Sequence, residues 1–234
     1  MASANWGNCV RVRKFSETEM TKMKHSQEKL SHVIWIGGPT DSGKTTIAKQ
    51  IAEIKGYQYY SYDQTGAEHL QKLAQINTKH KKYIKSVLTE HWAGYTALEI
   101  AEQSLEIAKE RFQFVIEDVQ VLPNHIPVIA EGAGFMPEIV RPVMTNRFQG
   151  IWLLPTEEVM KTSFGKKARF LRSRMGEQAE EIIQTLLQAN IHLMEAVKSQ
   201  AEQYNYKVYQ IVGSRSVVEN VTSVWEHLSQ YMNK

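Results

Sequence analysis

Eight consecutive residues, Gly38-Pro39-Thr40-Asp41-Ser42-Gly43-Lys44-Thr45, satisfy the pattern G-x-x-x-x-G-K-[ST] at every position. The spacing has a chemical reason. Glycines at the two ends let the backbone wrap closely enough for successive N–H groups to face inward on a polyphosphate, and a helix starting near Lys44 turns its positive dipole end to the same anion. The lysine reaches the outer phosphates, and the hydroxyl that follows it is a ligand for Mg²⁺. The expected nucleotide contacts are therefore Gly38, Pro39, Thr40, Asp41, Ser42, Gly43, Lys44, Thr45 and Thr46, with Thr45 also at the metal. ATP or GTP is the ligand that this arrangement predicts.

The elements around the loop suit it. Val33 to Ile36 is a short apolar run that reads as a buried parallel strand, and Thr45 to Lys55 reads as a helix closed by Gly56. Further strands are expected at Tyr57–Tyr62, Pro127–Ala130, Gly150–Leu154 and Lys207–Val212. Between them lie helical stretches at Ala67–Trp92 and Thr96–Val119, divided by Gly94, then a helix from Pro137, a long one from about Glu177 to Tyr204, and a closing one at Val217–Met232. Strands alternating with helices predict an α/β protein with a three-layer, doubly wound parallel sheet of five strands. Residues 33–234 form one domain on this reading, with a helical insertion at about 66–120, preceded by a flexible N-terminal extension at 1–32.

Composition narrows the classes. A chain of 234 residues with 42% hydrophobic content buries a core without disulfides, and the lone Cys9 points to a reducing, cytoplasmic setting. No window approaches the roughly 20 apolar residues of a membrane span. The net charge of +3 is carried by residues 1–32, with six Lys and Arg against three Glu, which leaves the remainder formally neutral. That argues against a nucleic-acid footprint spread over the folded body.

Other chemistries find little footing. Asp63-Gln64-Thr65-Gly66 spells the D-x-x-G of GTPase switches, but Asp63 follows Lys44 by only 19 residues, at the end of the very next strand, and the chain has no N-K-x-D. His69, His80, His91, His125 and His192 lack the partners of a transition-metal site, and no G-x-S-x-G elbow is present. Glu117-Asp118 reads as a solvated helical face.

With the phosphate loop, Asp63 ending the second strand, Glu131-Gly132 ending the third, the arginines of Lys166–Arg174 and Gly213-Ser214-Arg215-Ser216 after the fifth, the chain from about residue 33 onward resembles the P-loop small-molecule and nucleoside kinase group. That group includes nucleoside monophosphate kinases, uridine kinase and chloramphenicol phosphotransferase. The resemblance implies strand order 2-3-1-4-5 and transfer of the γ-phosphate of ATP, with Mg²⁺, to a hydroxyl or phosphate of a small molecule. Lys44, Asp63, Arg169, Arg172 and Arg174 are its implied catalytic residues. Asp63 would take the acceptor's proton, while capping the following helix is the competing role for the same carboxylate. The arginines fall in a lid-like segment at about 164–176, where they neutralise transferring charge or, on the plainer reading, form a solvated basic stretch. Glu131 would hold Mg²⁺ or an acceptor hydroxyl, or be a plain loop carboxylate; the common form of this motif ends its strand with Asp. Gly213, Ser214 and Arg215 would lie at the adenine, or else make an ordinary helix cap. Arg141, Arg147, Tyr59, Tyr62, Trp92 and Tyr95 are candidates for an acceptor pocket.

Two rival functions share these motifs. A nucleotide-binding regulatory protein could keep the loop without transfer activity and use the 66–120 insertion as a docking surface. A toxin-like kinase acting on a sugar nucleotide would present the same loop.

Overall fold

The computed structural model describes residues 27–89, 92, 94–176 and 179–232. Residues 1–26, most of the expected N-terminal extension, lie outside them, as does His91. The described residues form a five-stranded sheet in the order β2-β3-β1-β4-β5. All four pairings are parallel. The strands are β1 (Val33–Gly37), β2 (Gln58–Ser61), β3 (Val128–Glu131), β4 (Gly150–Pro155) and β5 (Val208–Ile211). The helices used below are α1 (Lys44–Lys55), α2 (Gly66–Ile76), α3 (Lys81–Thr89), α4 (Ala97–Gln120), the short α5 (Pro137–Val140), α6 (Glu157–Met175), α7 (Ala179–Gln203) and α8 (Val217–Met232). The α/β class, the parallel sheet and its strand order agree with the sequence reading.

Side-chain alternation along the strands builds the layers. Ile34 and Ile36 of β1, with Ile129, Ile151 and Leu153, pack on Ile47 and Ile51 of α1 and Val224 and Leu228 of α8. Val33 and Trp35, with Val128, Ala130 and Trp152, face Val115 and Val119 of α4 and Ala196 and Val197 of α7. Both faces of β1 are therefore covered, and all five of its residues are buried.

The helices α4 and α7 have 24 and 25 residues, so at 1.5 Å per residue they run well beyond the short strands they cover. Their other halves meet α2, α3 and α6 in a separate apolar cluster containing Leu70, Leu73, Tyr83, Ile107, Phe164, Leu171 and Leu186. The insertion expected at 66–120 is thus divided. The second half of α4 belongs mainly to the layer over the sheet, through Val115 and Val119, while Ile100, Ile107 and Phe114 join the extra helical bundle.

Several boundaries differ from the sequence reading. Leu30 is fully buried and its carbonyl accepts a hydrogen bond from Gln149 Nε2 at 2.9 Å, so residues just before β1 also pack on the folded body. The stretch Ala67–Trp92 is two helices, because Asn77 leaves helical geometry. Its side-chain oxygen accepts from the Lys79 N–H at 2.9 Å and its amide donates to Glu110 at 2.7 Å, so contacts with α4 outweigh local propensity. The segment at 164–176, expected as a lid, is the second half of α6. Its Phe164, Ala168 and Leu171 are buried at helical spacing.

Gly37 is closely packed: a Cβ there would lie 2.3 Å from the Phe135 carbonyl oxygen and 2.5 Å from the Trp152 ring. Trp152 is itself fixed, donating from Nε1 to Phe135 O at 2.8 Å. Gly37→Ala is expected to destabilise the protein by about 1–3 kcal/mol through overpacking, read as a lower urea midpoint with an unchanged slope.

Candidate active site

The loop between β1 and α1 is bent by three residues in the left-handed half of backbone space, Gly38 at φ 135°, Asp41 at φ 62° and Gly43 at φ 77°. Of these three, Gly38 is the one with no room for a side chain, since its Cβ would stand 2.2 Å from the Leu153 carbonyl oxygen, whereas nothing lies within 4 Å of a Cβ on Gly43. No side chain caps the start of α1. Its first-turn N–H groups are thus left for solvent or an anion. Asn190 of α7 reaches across to donate from Nδ2 to the Thr40 carbonyl at 3.3 Å, which ties the loop to the far layer.

Lys44 is buried at 4% exposure, and its Nζ donates to the Pro39 carbonyl at 2.7 Å and to Ser42 Oγ at 3.3 Å. Burial pulls its pKa below the ordinary lysine value, against the opposing pull of the Asp63, Glu131 and Asp41 carboxylates. The ammonium is therefore held inside the loop by weak, neutral acceptors, an arrangement that a phosphate oxygen would improve on.

Glu131 ends β3 in register with Ile36 and with Ser61. It is fully buried. Its Oε1 accepts from Tyr59 Oη at 2.7 Å and Ser61 Oγ at 2.8 Å, and its Oε2 accepts from Thr45 Oγ1 at 3.3 Å. Tyr59, Ser61 and Glu131 alternate onto the α1 side of the sheet, which is why they meet Thr45. Hydroxyl donors satisfy a carboxylate's lone pairs without neutralising its charge, and an unneutralised buried carboxylate costs several kcal/mol. A divalent cation fits that deficit, with Thr45 and Glu131 as the residues that would hold it. Among the described residues no group of three or more His, Cys, Asp or Glu forms a metal cage. A metal here would therefore take most of its oxygens from nucleotide phosphates and water.

Asp63 follows β2 at the same edge. The capping role open to it in sequence is not taken up, for the N-cap of α2 is Thr65, and the Asp63 carboxylate accepts no hydrogen bond among the described residues. Burial raises its pKa, Glu131 adds to the rise, and Lys44 and Arg111 oppose it. It is an uncommitted carboxylate with raised proton affinity beside the phosphate loop.

Next to Asp63 the side chain of Tyr62 lies against the loop after β3, where a Cβ on Gly132 would come 2.2 Å from the Tyr62 Cβ and one on Gly134 2.2 Å from its ring. Over the ring sits Arg111 of α4, its guanidinium 3.6 Å from the centroid and donating from Nη2 to the Tyr62 carbonyl at 2.8 Å. Burial pushes the Tyr62 phenol up to about 12 even with Arg111 beside it, so the phenol stays neutral. Beyond these residues opens a cavity of about 290 Å³, lined by Thr40, Asp63, Arg111 and Asn190 together with Tyr83 and Phe164.

The other expected site residues divide. Tyr62 and Trp92 line this cavity. Tyr95 packs on Tyr83 at 5.6 Å, one layer back. Arg141 does not belong to the site: it lies over the Tyr204 ring at 4.7 Å and lines a separate hollow with Arg147, Met144 and Tyr206, near the starts of β4 and β5 and so at the opposite end of the sheet. Connections that follow the carboxyl ends of parallel strands converge on one edge, and Arg141 precedes β4. Arg172 donates from Nε and Nη2 to Glu180 Oε2 at 3.1 and 2.8 Å, bridging α6 to α7, and Arg169 is exposed. Arg174 stands 5.5 Å from the Phe170 ring. Ser216 takes the capping alternative, forming a reciprocal box with Glu219 at the start of α8. Arg215 donates to Tyr209 Oη at 2.8 Å, and Gly213 sits beside Val159 of α6. Asp118 is not a solvated face residue, since it accepts from Tyr60 Oη at 2.8 Å and meets His69 Nε2 at 3.0 Å.

Sequence reasoning missed Arg111 and Asn190. The signal was present, because Arg111 falls on the stripe Ile107, Ala108, Phe114, Val115 and Asn190 on the stripe Leu186, Ala189, Ala196, Val197, which put polar groups on the buried faces of their helices.

No protein-family model and no curated protein matches the chain. Among solved structures it is similar to an uncharacterized protein from Eubacterium ventriosum ATCC 27560, with 16% identity, a TM-score of 0.37, and coverage of 84% of this chain and 98% of that chain. Among the described residues no helix is long and apolar enough to cross a membrane.

The raised pKa of Asp63 carries a sign. A carboxyl whose folded pKa exceeds its unfolded value destabilises the fold once it ionises, so the penalty is absent below about pH 4 and present at neutral pH. Asp63→Asn is therefore expected to melt at or above the wild-type temperature at pH 7, the difference vanishing near pH 4 in thermal scans.

Proposed function

We propose that the protein is an ATP-dependent phosphotransferase of the P-loop kinase type, acting on a hydroxyl of a small molecule. The observation that carries this reading is the meeting, at one edge of the sheet, of a buried lysine in a phosphate-shaped loop, a hydroxyl–carboxylate pair and an uncommitted carboxylate in the lining of an apolar cavity. ATP is favoured over GTP because the chain lacks a guanine-reading N-K-x-D sequence.

In this mechanism the loop N–H groups and Lys44 hold the β and γ phosphates of ATP. The acceptor hydroxyl, placed in the cavity, gives its proton to Asp63 as its oxygen bonds to the γ-phosphorus. The bond from that phosphorus to the β,γ-bridging oxygen breaks, and ADP leaves. Mg²⁺, when bound with the nucleotide at Thr45 and Glu131, would supply charge neutralisation of the phosphates. Apolar walls exclude water from the acceptor side, which disfavours hydrolysis of ATP in place of transfer. Arg169, Arg172 and Arg174, on the second half of α6, are assigned to neutralising the transferring charge. Gly213, Ser214 and Arg215 are assigned to the adenine end.

Incubation with γ-labelled ATP and a panel of alcohols is expected to place label on an acceptor; label released only as inorganic phosphate, or retained on ATP, would refute the reading. Lys44→Ala is expected to lower turnover by at least about a hundredfold. Asp63→Asn is expected to lower it by about 10² to 10⁴, with ATP affinity by calorimetry changed less than about threefold. The acid limb of kcat/KM should lie above the ordinary aspartate value of about 3.9, in keeping with the raised Asp63.

A further inference from the structure

The cavity at Asp63 also has a charge to satisfy. Arg111 is 5% exposed, its Nε is buried without a hydrogen-bond partner, and its protein hydrogen bond among the described residues goes to the Tyr62 carbonyl. It makes no ion pair there. A guanidinium has five N–H donors. Held in a low-dielectric wall with one neutral acceptor and a ring face, it is an under-compensated cation. Its helix places it there firmly, for Ile107, Ala108, Phe114 and Val115 on the same stripe are all buried.

The rest of the cavity is chemically different. Leu70, Val87, Trp92, Ile100, Phe164 and Leu186 give it apolar and aromatic walls. Of the four hydroxyl side chains in the lining, Thr40 and Tyr62 lie at the Asp63 end, and the two among the apolar walls are already engaged, Tyr83 Oη donating to the Ile100 carbonyl at 3.0 Å and lying 2.8 Å from Ser104 Oγ. A nucleobase or a sugar would leave several donors and acceptors unpaired against such walls, at a cost of about 1–3 kcal/mol for each. The volume of about 290 Å³ is at the small end of ligand sites.

We propose that the acceptor is a compact hydroxy acid with an aromatic or alicyclic body, whose carboxylate is bound by Arg111 while its hydroxyl faces Asp63 and its ring fills the cavity. A monoanion is specified because Arg111 is, among the described residues, the single cationic side chain in the lining, and Asp63 close by opposes every added negative charge. A phosphate dianion would need a further cation that the walls do not provide. This inference rests on the phosphotransferase reading for the reaction, but binding in the cavity can be measured without ATP.

The test is calorimetry and ligand-observed NMR on the full chain with 3- and 4-(hydroxymethyl)benzoate, mandelate and 3-phenyllactate, each compared with its methyl ester. At least one acid is expected to bind roughly ten- to a hundredfold more tightly than its ester. In Arg111→Gln, checked for folding by circular dichroism, the same acid should lose about that factor while its ester changes less than about twofold. The acid–ester comparison on the wild-type protein stands even if the variant does not fold. Esters binding as well as acids, no acid binding, or nucleosides or sugars binding more tightly than every acid would overturn the proposal. Lys44→Ala separates the two readings, since it should retain acid binding while losing turnover. If wild-type protein binds the acid but never phosphorylates any acceptor, the phosphotransferase reading fails and the carboxylate site survives.

Discussion

At the end of β1 two consecutive residues have no room for a side chain. A Cβ on Gly37 would strike the Phe135 carbonyl and the Trp152 ring, and one on Gly38 would strike the Leu153 carbonyl. These contacts press three chain segments together, namely the loop after β1, the loop after β3 and the end of β4. A side chain at either glycine would push them apart and open the edge of the sheet. The positions of Lys44, of Glu131 and of the Tyr62–Gly134 contact all follow from that approach.

The charged groups assembled at this edge are set on two sides of the sheet by strand alternation. Tyr59, Ser61 and Glu131 fall on the α1 side with Thr45. Tyr62 falls on the α4 side with Arg111. Asp63, two residues past the end of β2, lies between the two groups and feels Lys44 from one and Arg111 from the other. Neither cation reaches it closely enough to outweigh burial. This leaves a carboxylate that binds a proton more readily than usual, while Glu131 on the neighbouring strand is committed to three hydroxyl donors. Two acids at one edge thus have distinct duties because their surroundings differ.

The length of α4 and α7 links the sheet to the cavity. Each helix is anchored on the sheet mainly by one half and builds the apolar bundle mainly with the other. Arg111 and Asn190 lie along these helices where the two regions meet, one against Tyr62 and the other on the Thr40 carbonyl. The bundle is thus tied directly to the loop after β1. The Arg172–Glu180 pair that bridges α6 to α7 is exposed and so adds little to holding them together.

The alternation of apolar runs with helical stretches determined the α/β class, and the glycine-lysine spacing determined the loop, because both depend on local periodicity and backbone geometry. Helix ends written in side chains were legible too: Gly56 closes α1 in a left-handed conformation, as read. What depended on partners distant in sequence was not legible. The break at Asn77 needs Glu110, the freedom of Asp63 needs Thr65 to stand at the helix cap instead, and Glu131 gains its meaning from Thr45, which lies 86 residues away. Arg141 and Arg111 looked alike as arginines in helical stretches, and only the folding of the chain sent one to the far end of the sheet and the other into the cavity wall. A sequence carries the period of each element, whereas the approach of two elements is set by packing across the whole domain, and a charge acquires its chemistry from what that packing puts beside it.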